Sequence, residues 1–232
     1  MEHTLSPIVT GSSVVAVKYR DGVMLVTDTL CSYGSLKKFT GVSRIAPIGT
    51  TTVIAASGEY SDFQFIMDSL RASNLQETLL DDGDRRSSQE WAKYLANLMY
   101  HRRNKMNPLF NSLVIAGYSA DATGAFLGIT DLYGTYYEDQ YVATGFGQHM
   151  AMPLLRQHAR PDMTEEEART LLAKCMEILF YRDCRASNKI QFAKATSAGV
   201  EVSREVSVQE NWTHKLWLTK TIDLGKMLGA SW

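Results

Sequence analysis

A chain of 232 residues, 45% hydrophobic and 21% charged, is long and apolar enough to bury a sizeable core as one large domain or two small ones. With 24 Lys and Arg against 25 Asp and Glu, its net charge of −1 argues against nucleic acid and against an anionic membrane as partners. The three cysteines (Cys31, Cys175 and Cys184) show no CxxC pair and no histidine at zinc spacing, so the expectation is buried or half-buried thiols in a reducing compartment, with no metal site.

No apolar run approaches the ~18 residues that a spanning helix requires, and residues 1–10 carry no apolar stretch of the signal-peptide kind. The expected location is therefore cytoplasmic and nuclear. Two β-branched runs, Val14 to Tyr19 and Val23 to Thr27, flank Arg20-Asp21-Gly22 and predict a hairpin in which the glycine supplies the tight backbone. Thr51 to Ala56 is a further run of strand length, broken by Ser57-Gly58. From Glu59 the period becomes helical, with Phe63, Ile66, Met67 and Leu70 on one face, and the helix runs toward Leu80. Asp81-Asp82-Gly83-Asp84 ends it. Ser87 or Ser88 then caps a second helix carrying Trp91, Tyr94, Leu95, Leu98 and Met99, which Asn107-Pro108 stops.

Strands return at Ser112 to Tyr118 and at Ala125 to Thr130, around a turn at Asp121-Ala122-Thr123-Gly124. Tyr136 to Ala143 reads as one more extended run. Helical spacing reappears over Met150, Leu154 and Leu155. Thr164 and Glu167 form a capping box that opens a helix bearing Leu171, Leu172, Cys175, Ile178 and Leu179. Ile190 to Ala195 and Gly199 to Val202 close the pattern as a hairpin. Blocks of strands separated by blocks of helices predict a layered α+β domain rather than alternating βαβ units.

Several features together suggest more than a fold class. Gly11-Ser12-Ser13 precedes the first hairpin, and Asp28 ends it. Arg44, Ala55-Ala56-Ser57-Gly58 and Tyr181-Arg182-Asp183 follow, with Ser57 to Gln64, Lys105-Met106-Asn107-Pro108-Leu109 and Ala143-Thr144-Gly145 between and beside them. From about Val9 to Trp212 the chain resembles a proteasome β subunit of the N-terminal-nucleophile hydrolase family. The resemblance implies a four-layer αββα sandwich, two antiparallel sheets face to face with a helix pair outside each. It implies an N-terminal extension over residues 1–11, a domain over 12–204 and a tail over 205–232.

The resemblance also implies a reaction frame. In active members a threonine that follows a glycine becomes the mature N-terminus; its hydroxyl attacks a peptide carbonyl and its own α-amine, with a pKa of roughly 8, takes the proton. Here the nucleophile position is Ser12. The charged partner, Asp28, is retained, but the lysine position holds Arg44, and an arginine, unlike a lysine, takes no part in proton transfer. Asp183 is retained, while the serine that orients the amine is replaced by Ala186, followed by Ser187. The glycine-serine-glycine element reads Gly145-Phe146-Gly147. Groups that act together fail together, so the frame predicts a degenerate site at Ser12, Asp28, Arg44, Asp183 and Ala186, with the two aspartates pairing with Arg44, and a non-catalytic subunit. A Ser12-dependent N-terminal-nucleophile peptidase is the alternative. No cofactor is implied. The implied partners are other β subunits of the same and the opposite ring, α-ring subunits, and the protein substrates of the assembled particle in ATP- and ubiquitin-dependent degradation.

Two further stretches have ordinary explanations beside functional ones. His101-Arg102-Arg103-Asn104-Lys105 sits at a helix end where cations are favoured by the helix dipole, and without aromatic interleaving it does not predict nucleic-acid binding. Gly145-Phe146-Gly147 is too short a glycine pattern to predict a phosphate site. The apolar tail, with Trp212, Trp217 and Trp232, either packs on its own domain or reaches a neighbouring subunit.

Overall fold

The computed structural model describes residues 6–80, 82–83, 85–119 and 124–212. The strands are β1 (Val9–Gly11), β2 (Val14–Tyr19), β3 (Gly22–Asp28), β4 (Leu30–Tyr33), β5 (Leu36–Thr40), β6 (Ile45–Ile48) and β7 (Thr52–Glu59). Helices α1 (Tyr60–Leu80) and α2 (Ser88–Asn104) follow, then β8 (Asn111–Ser119), β9 (Gly124–Thr130), β10 (Tyr136–Glu138) and β11 (Tyr141–Ala143). Helices α3 (Gly147–Met150), α4 (Met152–His158) and α5 (Glu165–Arg182) precede β12 (Lys189–Thr196), β13 (Gly199–Val202) and β14 (Val206–Ser207).

These strands form two antiparallel sheets. The 8-stranded sheet runs β10-β9-β8-β7-β1-β4-β5, with β6 on β7; the 6-stranded sheet runs β11-β2-β3-β12-β13, with β14 on β12. Strand alternation explains how they stack. Val14 and Ala16 of β2, Leu25 of β3, Val53 and Ala55 of β7, and Val114 and Ala116 of β8 fill a layer between the sheets. The intervening residues face outward. Val15, Val17, Met24 and Val26 meet Leu155, Leu172 and Leu179 of α4 and α5. Ile54, Leu113 and Ile115 meet Ile66, Leu70, Trp91 and Leu95 of α1 and α2. The result is the four-layer αββα sandwich that the resemblance implied.

Several details depart from the sequence reading. Strands β1, β4, β5 and β6 lie in stretches where no strand was predicted; β5, for instance, is exposed at every position and so carries no alternation. Tyr136 to Ala143 is not one strand. Its first part pairs with β9 in the larger sheet and its last part with β2 in the smaller, so the chain changes sheets within it. The hairpin glycine also acts differently: Gly22 lies outside the left-handed region, and a Cβ there would lie 2.1 Å from the Ala195 carbonyl oxygen. It lets β12 approach β3 rather than shaping the turn. Cys31 and Cys175 are buried, which pushes their thiols up to about 11 and about 12, whereas Cys184 is exposed.

Two expected boundaries fall inside sheets. Residues 9–11 of the predicted extension are β1, and β14 extends the smaller sheet beyond residue 204. Trp212 then packs edge-on against Tyr181, ring centroids 5.0 Å apart. The predictions made on Trp217, Trp232 and the rest of the tail beyond Trp212 lie outside the described residues.

Candidate functional site

The site forms where the chain leaves one sheet for the other. β1 belongs to the larger sheet and β2 to the smaller, so Ser12 and Ser13 are the crossing between them. Ser13 is buried; its hydroxyl accepts the Gly147 N–H at 2.9 Å, so the Gly145-Phe146-Gly147 turn anchors the crossing. Thr144 fastens the start of β2, its hydroxyl accepting the Val14 N–H at 2.9 Å.

Arg44, 1% exposed, is the centre of the arrangement. Its Nε donates to the Asp28 carbonyl at 3.2 Å, Nη1 to the carbonyls of Ser12 at 3.1 Å and Ala56 at 2.7 Å, and Nη2 to the Ser13 carbonyl at 3.2 Å. Nη2 also pairs with Asp28 Oδ1. One guanidinium therefore ties β3, β7 and the crossing together. The planar fork makes this possible; an ammonium has no such spread of donors. Gly11 is the steric counterpart, because a Cβ there would lie 2.3 Å from Arg44 Cδ.

Asp28 is fully buried, and its other oxygen accepts the Ser187 N–H at 3.1 Å. Burial pushes its carboxyl up, while the Arg44 charge and the two donors pull it back. Asp183 does not pair with Arg44 as the sequence reading expected. It caps the end of α5, accepts the Ser12 hydroxyl, and accepts the Arg185 N–H at 2.9 Å. Ala186 lies in the same turn, its N–H on the Asp183 carbonyl at 3.1 Å, and brings no side-chain donor. The structure thus gathers Ser12, Asp28, Arg44, Asp183 and Ala186 at one crossing, with Ser12 bonded to Arg44 through its carbonyl and to Asp183 through its hydroxyl.

A cleft of ≈ 320 Å³ opens beside Ser12, with Phe110, Leu132 and Phe146 among its apolar walls and Asp183 and Arg185 at its polar side. Thr10 and Gly11 of β1 line the same cleft. β1 lies between β4 and β7: Thr10 is paired with both Ser32 and Glu59, and Gly11 with both Cys31 and Gly58. The Glu59 side chain, which sequence reasoning missed, secures the approach. Its Oε2 accepts the N–H of Ile8 and, at 3.0 Å, that of Val9, and its Oε1 accepts the Ser61 hydroxyl at 2.7 Å. The one available signal was a carboxylate directly after the Ala55 to Gly58 run. Asn111 was missed too; its amide donates to the carbonyls of Ser57 and Glu59 and so fixes the Gly58 turn.

Residues 8–195 match the family described as "Proteasome subunit". The chain belongs to the proteasome subunit family. Among curated relatives of this proteasome subunit, "Proteasome subunit beta type-4" of Dictyostelium discoideum is 45% identical over 209 residues, 89% of this chain and 80% of the relative. The protein of the same name from Arabidopsis thaliana is 44% identical over 211 residues, 91% of this chain and 85% of the relative. "Proteasome subunit beta type-7" of Saccharomyces cerevisiae is 40% identical over 202 residues, 83% of this chain and 76% of the relative. In this proteasome subunit the positions that the resemblance assigned to a reaction frame thus hold the Arg44–Asp28 ion pair and the Ser12–Asp183 contact.

Among the described residues no group of three metal-ligating side chains converges, and no helix is long and apolar enough to cross a membrane.

Proposed function

We propose that this chain, whose relatives carry the names proteasome subunit beta type-4 and type-7, is a non-catalytic structural β subunit of the 20S proteasome core at the seventh position of the β ring. It completes the chamber wall beside active neighbours and contacts β subunits of both rings and the α ring. Its work is in ATP- and ubiquitin-dependent protein degradation, in cytoplasm and nucleus.

The observation that carries the non-catalytic reading is the use made of Gly11 and Ser12. The mechanism requires the Ser12 nitrogen as a free amine. Here Thr10 and Gly11 are paired into a sheet on both edges, and the Ser12 carbonyl is held by Arg44. Arg44 spends its donors on backbone carbonyls and on the Asp28 carboxylate, so none is directed to the Ser12 hydroxyl. A peptide approaching from the Gly11 side would need the edges of β4 and β7 that β1 occupies. The intact mass of this chain from purified particles tests the proposal. A mass that retains residues 9–11 is expected, and a mass beginning at Ser12 overturns the reading.

One contact favours the alternative, the Ser12 hydroxyl donating to Asp183 beside an open cleft. Ser12→Ala discriminates. Particles assembled with that variant keep all their peptidase activities if the subunit is structural, and lose one if Ser12 is a nucleophile.

A further inference from the structure

The end of α2 carries a feature that the lone chain does not need. The Asn107 N–H donates to the Arg102 carbonyl at 3.1 Å and the Met106 N–H to the Arg103 carbonyl at 3.0 Å. That is the Schellman pattern, in which the residue after the cap adopts the left-handed conformation and is usually glycine. Here the residue is Met106, at φ 54, and among the described residues no other non-glycine has positive φ. A side chain at such a position is disfavoured by its own Cβ. The side chain is also 79% exposed, the most exposed of the large hydrophobic residues described. Glycine would serve the isolated fold better on both counts.

What surrounds Met106 has the composition of an interface anchor. The Arg102 guanidinium lies 5.8 Å from the Phe65 ring and that of Arg103 5.7 Å from the Tyr100 ring, and both rings are about half exposed. Lys105 is exposed beside them. Among the described residues none of these three cations forms a salt bridge. The nearby Asp62 carboxylate is engaged by the Phe110 N–H at 2.8 Å. The helix dipole accounts for cations at this end; it does not account for a strained, solvent-facing methionine. Backbone strain kept at an exposed position points to a role in recognition, and aromatic, Arg and Met side chains are those enriched at interfaces.

We propose that the α2 terminus is a docking knob: Met106 enters an apolar socket on another proteasome subunit, and carboxylates on the rim of that socket pair with Arg102, Arg103 and Lys105. The occupant is inferred from charge complementarity, since the rim of the knob is cationic and forms no salt bridge among the described residues. The inference rests on the reading of this chain as a subunit of an assembled particle.

The test is competitive assembly of Met106→Gly against the wild-type full chain, together with thermal unfolding of both. Glycine relieves the left-handed strain, so the variant is expected to unfold at an equal or higher temperature, yet to enter the particle about fivefold less well or worse, as loss of an anchor residue predicts. Equal incorporation overturns the proposal, and so does a lower unfolding temperature, which would make Met106 part of its own fold. Failure of the wild-type chain to enter particles would instead overturn the subunit reading. Benzoylphenylalanine in place of Met106 provides the second measurement in purified particles. Crosslinking to a different subunit beside acidic residues supports the socket; crosslinking to a second copy of this chain, or none, refutes it.

Discussion

Arg44 decides how this site behaves. A buried guanidinium serving four carbonyls and a carboxylate is fully committed, and removing it takes from the buried Asp28 its ion-pair partner and leaves it the Ser187 N–H. Arg44→Ala is therefore expected to destabilise the fold by about 3–5 kcal/mol, the range for breaking a buried ion pair from one side. Arg44→Lys is the more informative variant. It restores the residue that the resemblance assigns to active members, but a single ammonium cannot reach carbonyls on β3, β7 and the crossing together. Denaturant unfolding should show a loss of about 1–3 kcal/mol for the carbonyls left unsatisfied; under the proposed function, in which the Gly11–Ser12 bond is retained, no peptidase activity is gained. Gly11→Ala should cost about as much as Arg44→Lys, since a small-to-large change in a filled site costs about 1–3 kcal/mol and the guanidinium has nowhere to retreat. The sequence made the identity of Arg44 legible and its charge pairing with Asp28 also. It did not separate Asp183 from that pair, because the split depends on where the end of α5 meets the crossing, a tertiary fact with no local signature.

At the scale of elements, legibility followed the strength of local patterns. The capping box at Thr164–Glu167 was read from the residues and is present; of the two cap candidates Ser87 and Ser88, Ser87 is the N-cap and forms a second box with Glu90, the N-cap N–H groups bonded to the glutamates at 2.8 and 2.7 Å respectively. Strands that bury one or both faces, such as β2, β3 and β8, were equally plain. β1, β4 and β5 were not, since their pairing is decided by neighbours far away in sequence, and β1 is three residues long. The caps also carry a pH dependence. Donation from the Ser87 N–H and hydroxyl holds the Glu90 carboxyl below its ordinary value of 4.5. A carboxyl lowered in the folded state stabilises the fold above its unfolded pKa, and that contribution disappears as the pH falls through the folded pKa. Ser87→Ala should thus lower stability by about 1 kcal/mol near neutrality. Because the same variant removes part of what lowers Glu90, the difference from wild type should shrink below pH 4.5, measured by denaturant unfolding across pH.

For the whole molecule the telling contrast is between its three apolar layers. The outer two hold Trp91, Phe63, Phe126 and Met99 on one side and Phe192, Tyr19, Met163 and Met176 on the other. The middle layer has no aromatic residue among its buried members and includes Ala16, Ala55, Ala116, Ala193 and Ala195. Small side chains let the two sheets approach closely, and that approach lets Arg44 bridge Ala56 of one sheet and Asp28 of the other. The spacing of the sheets and the integrity of the site are accordingly one property. Enlarging a side chain in the middle layer should disturb both, whereas a comparable change in an outer layer, where helices can shift on a sheet, should disturb stability alone. Ala116→Leu is expected to destabilise by about 1–3 kcal/mol, the usual range for overpacking, and to loosen the Arg44 bonds some distance away. Hydrogen exchange at the Ser187 N–H, which is bonded to Asp28 and buried, reads that second effect directly. It should exchange faster in Ala116→Leu than in Ala92→Leu, a substitution in the helix layer matched for global stability. Equal protection in the two would mean that the sheets part without disturbing the site, and that Arg44 follows one sheet rather than holding both.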